Sequence, residues 1–129
     1  MRYLSLEWIE AVQRHVGASE SLVQLASSHD ISVTQVVNEG PEGTVVYHFS
    51  VGDGTATFAA GPAPDEDVRI EQSWQTAVDV ATEVLPAQEA FINGLVRVSG
   101  NVQKLVDNQA VFAALDAAFN DVRPLTEYR

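Results

Sequence analysis

From Ile31 onward the chain alternates. Ile31, Val33 and Val37 are apolar while Ser32, Thr34 and Asn38 are polar, a period of two that gives an extended strand one apolar and one polar face. Residues 38–43, Asn-Glu-Gly-Pro-Glu-Gly, are dense turn material. Val45, Tyr47, Phe49 and Val51 then alternate with Thr44, His48 and Ser50, and Gly52-Asp53-Gly54 predicts a tight hairpin, because Asp and Gly tolerate the positive φ that short hairpin turns need. Thr55 to Ala60 reads as a third strand, with Phe58 between the small residues Ala56 and Ala60. A loop over 61–67 leads to a fourth strand, Val68 to Gln72. Three short connections in a row predict an antiparallel meander with one buried face.

The period is helical on either side of this block. Leu6, Ile9, Val12 and Val16 recur at three- and four-residue steps, with Trp8 widening the stripe. Gly17 interrupts it, and Ser19 or Ser21 can cap a second short helix through Leu22, Val23 and Leu25. Ser73 can cap a run in which Trp74, Ala77, Val78, Ala81 and Val84 share a stripe, until Leu85-Pro86 breaks it. Pro86 suits the first turn of a new short helix carrying Phe91 and Ile92. Asn93-Gly94 ends that helix, Leu95 to Ser99 alternates as a fifth strand, and Gly100 ends the strand. Asn101 can cap a last helical region, divided at Asn108, with Val102, Leu105, Val106, Phe112, Leu115 and Phe119 on one face. Arg123-Pro124-Leu125 closes it, and the final residues are expected to fray. The order is helix, four strands, helices, one strand, helix. It predicts an α+β fold with all helices on the same side of a single sheet.

Composition narrows the function more than the fold. The 129 residues suit a single domain over 1–129 with a core that needs no metal or disulfide. There is no cysteine, which fits a reducing cytoplasm and removes thiol chemistry. Glu7 and Glu10 interrupt the N-terminal apolar residues, so no signal-peptide core is read there, and no apolar run is long enough for a bilayer. A soluble cytoplasmic protein is the expectation. The net charge of −11, from 18 acidic and 7 basic residues, opposes nucleic-acid binding and electrostatic membrane docking.

Catalytic chemistry has little support. His15, His29 and His48 stand far apart with no acid at metal-ligand spacing. Asp65-Glu66-Asp67 lacks the spaced oxygens of a calcium loop and reads as a solvated loop. Glu83 and Glu89 flank the helix break without anything to bring them together, and Glu89 or His48 would be a base without a partner. No glycine motif precedes a helix as phosphate binding requires, and no serine sits in a nucleophile elbow. The expectation is no enzyme, no metal and no cofactor. What remains is apolar surface. Large residues on the later helices face small ones such as Ala56 and Ala60, which leaves either an interlocked core or a void open to an apolar ligand.

Two stretches carry a resemblance. Val68-Arg69-Ile70-Glu71-Gln72-Ser73-Trp74 leads a strand into a helix, with Asp67 at its start. In the stretch from Pro86 to Asn101, the residues Pro86, Ala90, Phe91, Gly94, Leu95, Val98, Gly100 and Asn101 follow in order and spacing. Together they resemble the sterol carrier protein 2 (SCP-2) domain family over roughly residues 20–120. The resemblance implies a five-stranded, mostly antiparallel sheet with helices on one face and a hydrophobic tunnel for a sterol, fatty acid or other acyl lipid. It implies binding or transfer without catalysis. The tunnel wall is assigned to Phe91, Ile92, Leu105, Phe112, Leu115 and Phe119, with Trp74 and Phe58 added. The basic stretch of the family is Gly94-Leu95-Val96-Arg97-Val98-Ser99 here, with one cation, so membrane docking is expected to be weak or absent. The helix over 4–16 lies outside the resemblance, and two roles stay open for it: packing over the tunnel or forming a homodimer contact. The alternative to a ligand carrier is an interaction or dimerisation module with a closed core.

Overall fold

The computed structural model describes residues 1–128. Helices α1 (Leu6–Ala18) and α2 (Glu20–Ala26) precede strands β1 (Ile31–Gly40), β2 (Gly43–Gly52), β3 (Thr55–Ala60) and β4 (Val68–Ser73). Helices α3 (Trp74–Ala81) and α4 (Ala87–Ile92), strand β5 (Val96–Gly100), and helices α5 (Val102–Asp107) and α6 (Gln109–Val122) complete the order. Serines start three helices: Ser19 and Ser73 as the sequence predicts, and Ser5 in addition. Ser5, Ser19 and Ser73 accept hydrogen bonds from the backbone N–H of Trp8, Leu22 and Thr76, each at 3.2 Å, which satisfies donors that a helix leaves unpaired at its first turn. Asn101 makes no such side-chain bond. Asn108 divides α5 from α6 differently from a cap: its amide donates back to the Lys104 carbonyl at 2.7 Å.

The five strands form one sheet in the order β3-β2-β1-β4-β5. The class is α+β and the sheet is mostly antiparallel, as expected, but the meander is corrected. β4 does not pair with β3; it lies beside β1 and parallel to it. Ala60 pairs with Tyr47 and Val68 with Val33, so residues 61–67 must pass β2 and β1, three strand spacings or about 14 Å. An extended segment at roughly 3.4 Å per residue reaches that far, and Pro62 and Pro64 favour the extended form. Loop length alone therefore did not distinguish a hairpin from a crossover.

The crossover also covers the sheet face away from the helices. The Ala63 N–H donates to the Thr34 hydroxyl at 3.0 Å, and Thr34 is fully buried. Asp67 and Ser32 exchange two bonds: Asp67 N–H to the Ser32 carbonyl at 2.8 Å, and Ser32 N–H to the Asp67 carboxylate at 2.9 Å. The central strand is thus dry on both sides, with Val33 and Val37 under the helices and Thr34 and Val36 on the other face. Nor does the C-terminal segment fray up to residue 128. Tyr3 N–H donates to the Glu127 carbonyl at 2.9 Å, Glu127 N–H to Met1 at 2.6 Å, and the terminal ammonium to Leu125 at 2.7 Å.

Gly100 shows why the strand β5 ends where it does. Its φ is +97°, and a Cβ there would run into the Asp67 carbonyl oxygen, which also accepts from Asn101 N–H at 2.8 Å. Gly100→Ala is expected to lower the unfolding free energy by about 1–3 kcal/mol. Gly17→Ala, in a helix with open space around it, should raise it by about 0.5–1 kcal/mol. Urea midpoints of the two variants check both signs.

Candidate functional site

Alternation along the strands places Val33 and Gln35 of β1, Tyr47 and Phe49 of β2, Phe58 of β3 and Gln72 of β4 on the helix-covered face. Val33, Phe49 and Phe58 form one rung across three strands, and Gln35 lies opposite Tyr47 two residues along. Over this face α6 presents Phe112, Leu115 and Phe119 at three- and four-residue steps. Sheet and helix do not close completely. A cavity of about 140 Å³ is lined by Val33, Phe49, Phe58, Phe112, Leu115 and Phe119. A second, of about 190 Å³, takes in Tyr3, Trp8, Gln72, Ala77, Arg123 and Tyr128. Gln35, Tyr47, Asp116 and Phe119 border both, so an apolar chamber adjoins a polar mouth.

Trp8 of α1 stands between the layers. Its ring stacks on Phe119 with centroids 5.8 Å apart and planes 17° from parallel. It meets Phe58 and Tyr47 edge-on at 6.0 and 6.4 Å, and Tyr3 at 5.1 Å. The N-terminal helix therefore packs over the chamber. Trp8 Nε1 is buried and has no hydrogen-bond partner among the described residues. At the mouth, Gln72 Nε2 donates to Gln35 Oε1 at 3.4 Å, and Arg123 holds Glu83 at 3.1 Å. Burial pushes the Tyr47 hydroxyl far above the ordinary phenol pKa. Burial, and then the neighbouring Tyr47 and Tyr128, do the same to Tyr3.

Of the wall residues expected from sequence, the structure brings Phe58, Phe112, Leu115 and Phe119 together. Leu105 is partly buried against the core but lines neither cavity. Trp74 packs on Tyr3 at 5.4 Å, in a small recess beside Val45 and Gly40. Phe91 and Ile92 are 54% and 78% exposed, so the expectation that they face the interior is corrected. The short α4 buries Ala90 instead, and Leu95 N–H donates to the Ala90 carbonyl at 2.9 Å, which leaves the two large side chains outside. Sequence reasoning missed Trp8, Gln35, Tyr47, Gln72 and Arg123. The register held a signal for Gln35, since it occupies an inward position between Val33 and Val37.

Several of the charged groups considered for chemistry are occupied in holding the fold. Glu66 makes two bonds to Arg69, at 2.9 and 3.0 Å, and these hold its carboxyl below the usual range. Asp67 also meets Lys104 at 3.1 Å, and His48 Nδ1 lies 3.0 Å from the Gly61 carbonyl. Among the described residues no group of three His, Asp or Glu could hold a metal ion, and no helix is long and apolar enough to cross a membrane.

The sequence model described as the SCP-2 sterol transfer family matches residues 10–113. No curated protein matches the sequence significantly. Among solved structures, the chain is similar to a conserved hypothetical protein of Thermus thermophilus at 22% identity and TM-score 0.70, over 92% of this chain and 88% of that one. It is also similar to sterol carrier protein 2 from Yarrowia lipolytica in its apo form (15%, TM-score 0.65, 88% of each chain). A crystal structure of sterol carrier protein 2 aligns at 20% identity and TM-score 0.63, over 94% of this chain and 97% of that one. At such identities the structural likeness speaks for the fold.

The buried phenols generate a pH prediction. In the folded state Tyr3 and Tyr47 hold their protons above the ordinary value of about 10. Their stabilising share is therefore intact below about pH 10 and falls as pH rises past it, because the unfolded chain ionises first. The urea midpoint should drop more steeply above pH 10 in the parent protein than in Tyr47→Phe, with tyrosinate absorbance appearing only as the chain unfolds.

Proposed function

The chain belongs to the SCP-2 sterol transfer family, and from that premise we propose that it binds, and can transfer, a hydrophobic ligand such as a sterol, fatty acid or acyl lipid in the chamber under α6. The observation that carries this is the cluster of Phe58, Phe112, Leu115 and Phe119 around unfilled space that leads to a polar mouth. Water in an apolar chamber is poorly hydrogen-bonded, and removing ligand surface from solvent supplies roughly 25 cal/mol per Å² before ordering costs. The two cavities together lie near the lower end of the range for ligand pockets, roughly 300 Å³. The proposed role is non-catalytic, without cofactor, and set in the cytoplasm, with residues 1–129 acting as one domain.

Charge supports a carrier that does not rely on anionic membranes. Arg2, Arg69, Arg97, Lys104 and Arg123 each sit within 3.1 Å of a carboxylate, so these cations are already neutralised. A second reading, a homodimer contact, is favoured by the exposed Val84, Phe91, Ile92 and Leu95 around α4. Sedimentation equilibrium should then show a dimer that Ile92→Asp dissociates.

The carrier reading is tested by native mass spectrometry of protein purified without detergent. A lipid-sized adduct, or uptake of added fatty acid or sterol, is expected. Leu115→Trp, which fills the chamber, should cut that uptake at least about tenfold, the equivalent of roughly 1.4 kcal/mol, with the melting temperature measured alongside. A clean apo mass that takes up nothing would overturn the proposal.

A further inference from the structure

One edge of the sheet is left open. Among the described residues no strand lies beyond β5. Its register with β4 is unbroken from Val96 to Gly100, and the Asn101 N–H donates to the Asp67 carbonyl at 2.8 Å. Antiparallel ladder bonds recur at every second residue, so Arg97 and Ser99 are the β5 residues bonded to β4. Val96 and Val98 turn their N–H and C=O groups to the open edge. Such an edge is a template for a further strand unless proline, a bulge or a charge blunts it. β5 has no proline and no bulge, and its one charge, Arg97, is held by Glu71 at 3.0 Å.

Charge and apolar surface converge on the same edge. Residues 90–106 contain no acid, although 18 of the 129 residues are acidic, and no other acid-free run in the chain is as long. The stretch carries Arg97 and Lys104. Lys104 meets Asp67 at 3.1 Å, and Glu39 shares with Glu71 the recess beside Arg97. At the opposite edge α1 and α2 pack on β3 and carry the exposed Glu7, Glu10 and Glu20. A chain of net charge −11 repels its own copies, and does so least at β5. Leu95, just before the strand, is 47% exposed, and Val102, just after it, is 45% exposed.

Resting on the homodimer reading above, we infer that two copies join through β5, antiparallel about a two-fold axis at Val98, so that one sheet runs through both. The outward groups of Val96 and Val98 allow two such registers, and charge selects between them. An axis at Arg97 sets the two guanidinium groups directly opposite each other, which is destabilising. The axis at Val98 sets each Arg97 opposite Ser99 of the second copy. It also brings Leu95 of each copy opposite Asn101 of the other, beside Val102, so both ends of the joined strands gain an apolar contact. The contact is isologous and closes at two copies. The exposed side chains of α4 favour association without fixing its geometry, and the strand fixes it.

Sedimentation equilibrium of the full chain tests the dimer, and amide hydrogen exchange tests the edge. At concentrations where the dimer forms, the Val96 and Val98 amides should be protected, and dilution to monomer should release them. The Arg97 and Ser99 amides, bonded to β4, should stay protected throughout. Ser99 is exposed, so substituting it leaves the core alone. Ser99→Glu, opposite Arg97 of the second copy, should lower the dimer dissociation constant about fivefold, and Ser99→Lys should raise it by about as much. A dimer whose Val96 and Val98 amides exchange freely would overturn the inference and leave the association resting on α4. So would Glu and Lys variants that dimerise equally well. A chain that stays monomeric at millimolar concentration would overturn the dimer reading, and this inference with it.

Discussion

The stacking of Trp8 on Phe119 is the contact on which the layers meet. One indole touches the sheet through Tyr47 and Phe58, the C-terminal helix through Phe119, and the N-terminal strap through Tyr3. Aromatic pairs of this kind contribute about 0.5–1.5 kcal/mol each beyond their buried area. Their larger effect is positional. With α1 fixed over β3 and the indole wedged against Phe119, α6 has a set height above β2. The space beside it keeps its shape because the rings around it do not interlock completely. The interior is therefore stabilised by the same side chain whose nitrogen it leaves unpaired.

The far side of the sheet contributes by being inert. The 61–67 crossover, pinned through Thr34, Ser32 and His48, spares the central strand from solvent without a second layer of helices. Tyr47, Phe49 and Val51 of β2 and Phe58 of β3 are thereby free to face one way, while Val46 shares the far face with Val36. The surface cations lie outside this arrangement, in pairs such as Glu71–Arg97 and Glu42–Arg2. Exposed pairs of this sort contribute little to stability. Their consequence is to leave few unpaired cations for an anionic partner.

Much of this was legible in the chain, and the failures have physical reasons. Alternation located every strand, because a buried face imposes a period of two. The α6 stripe was readable because fourteen residues repeat it over several turns. In α4, six residues make less than two turns, too few for a stripe to say which side is covered, and the inward assignment of Phe91 and Ile92 rested on the family resemblance. The crossover was invisible because a short loop suits a hairpin and a parallel return equally well. The polar mouth escaped notice because Gln35 and Gln72 look like ordinary breaks in an apolar pattern, and because Trp8, Arg123 and Tyr128 come from segments that no local pattern joins.

That last feature has a consequence for timing. The rim of the mouth is closed by Tyr3 and Tyr128, and the backbone tie behind it joins Met1 to Leu125, a separation of 124 positions. The strands β1 to β4, by contrast, are complete within residues 31–73. During synthesis the sheet can therefore pair and collapse long before its cavity acquires an edge. The chamber stays unlidded and apolar until the closing residues emerge. For that interval the nascent chain exposes the apolar face of β2 and β3, the kind of surface that invites misassociation before folding is complete.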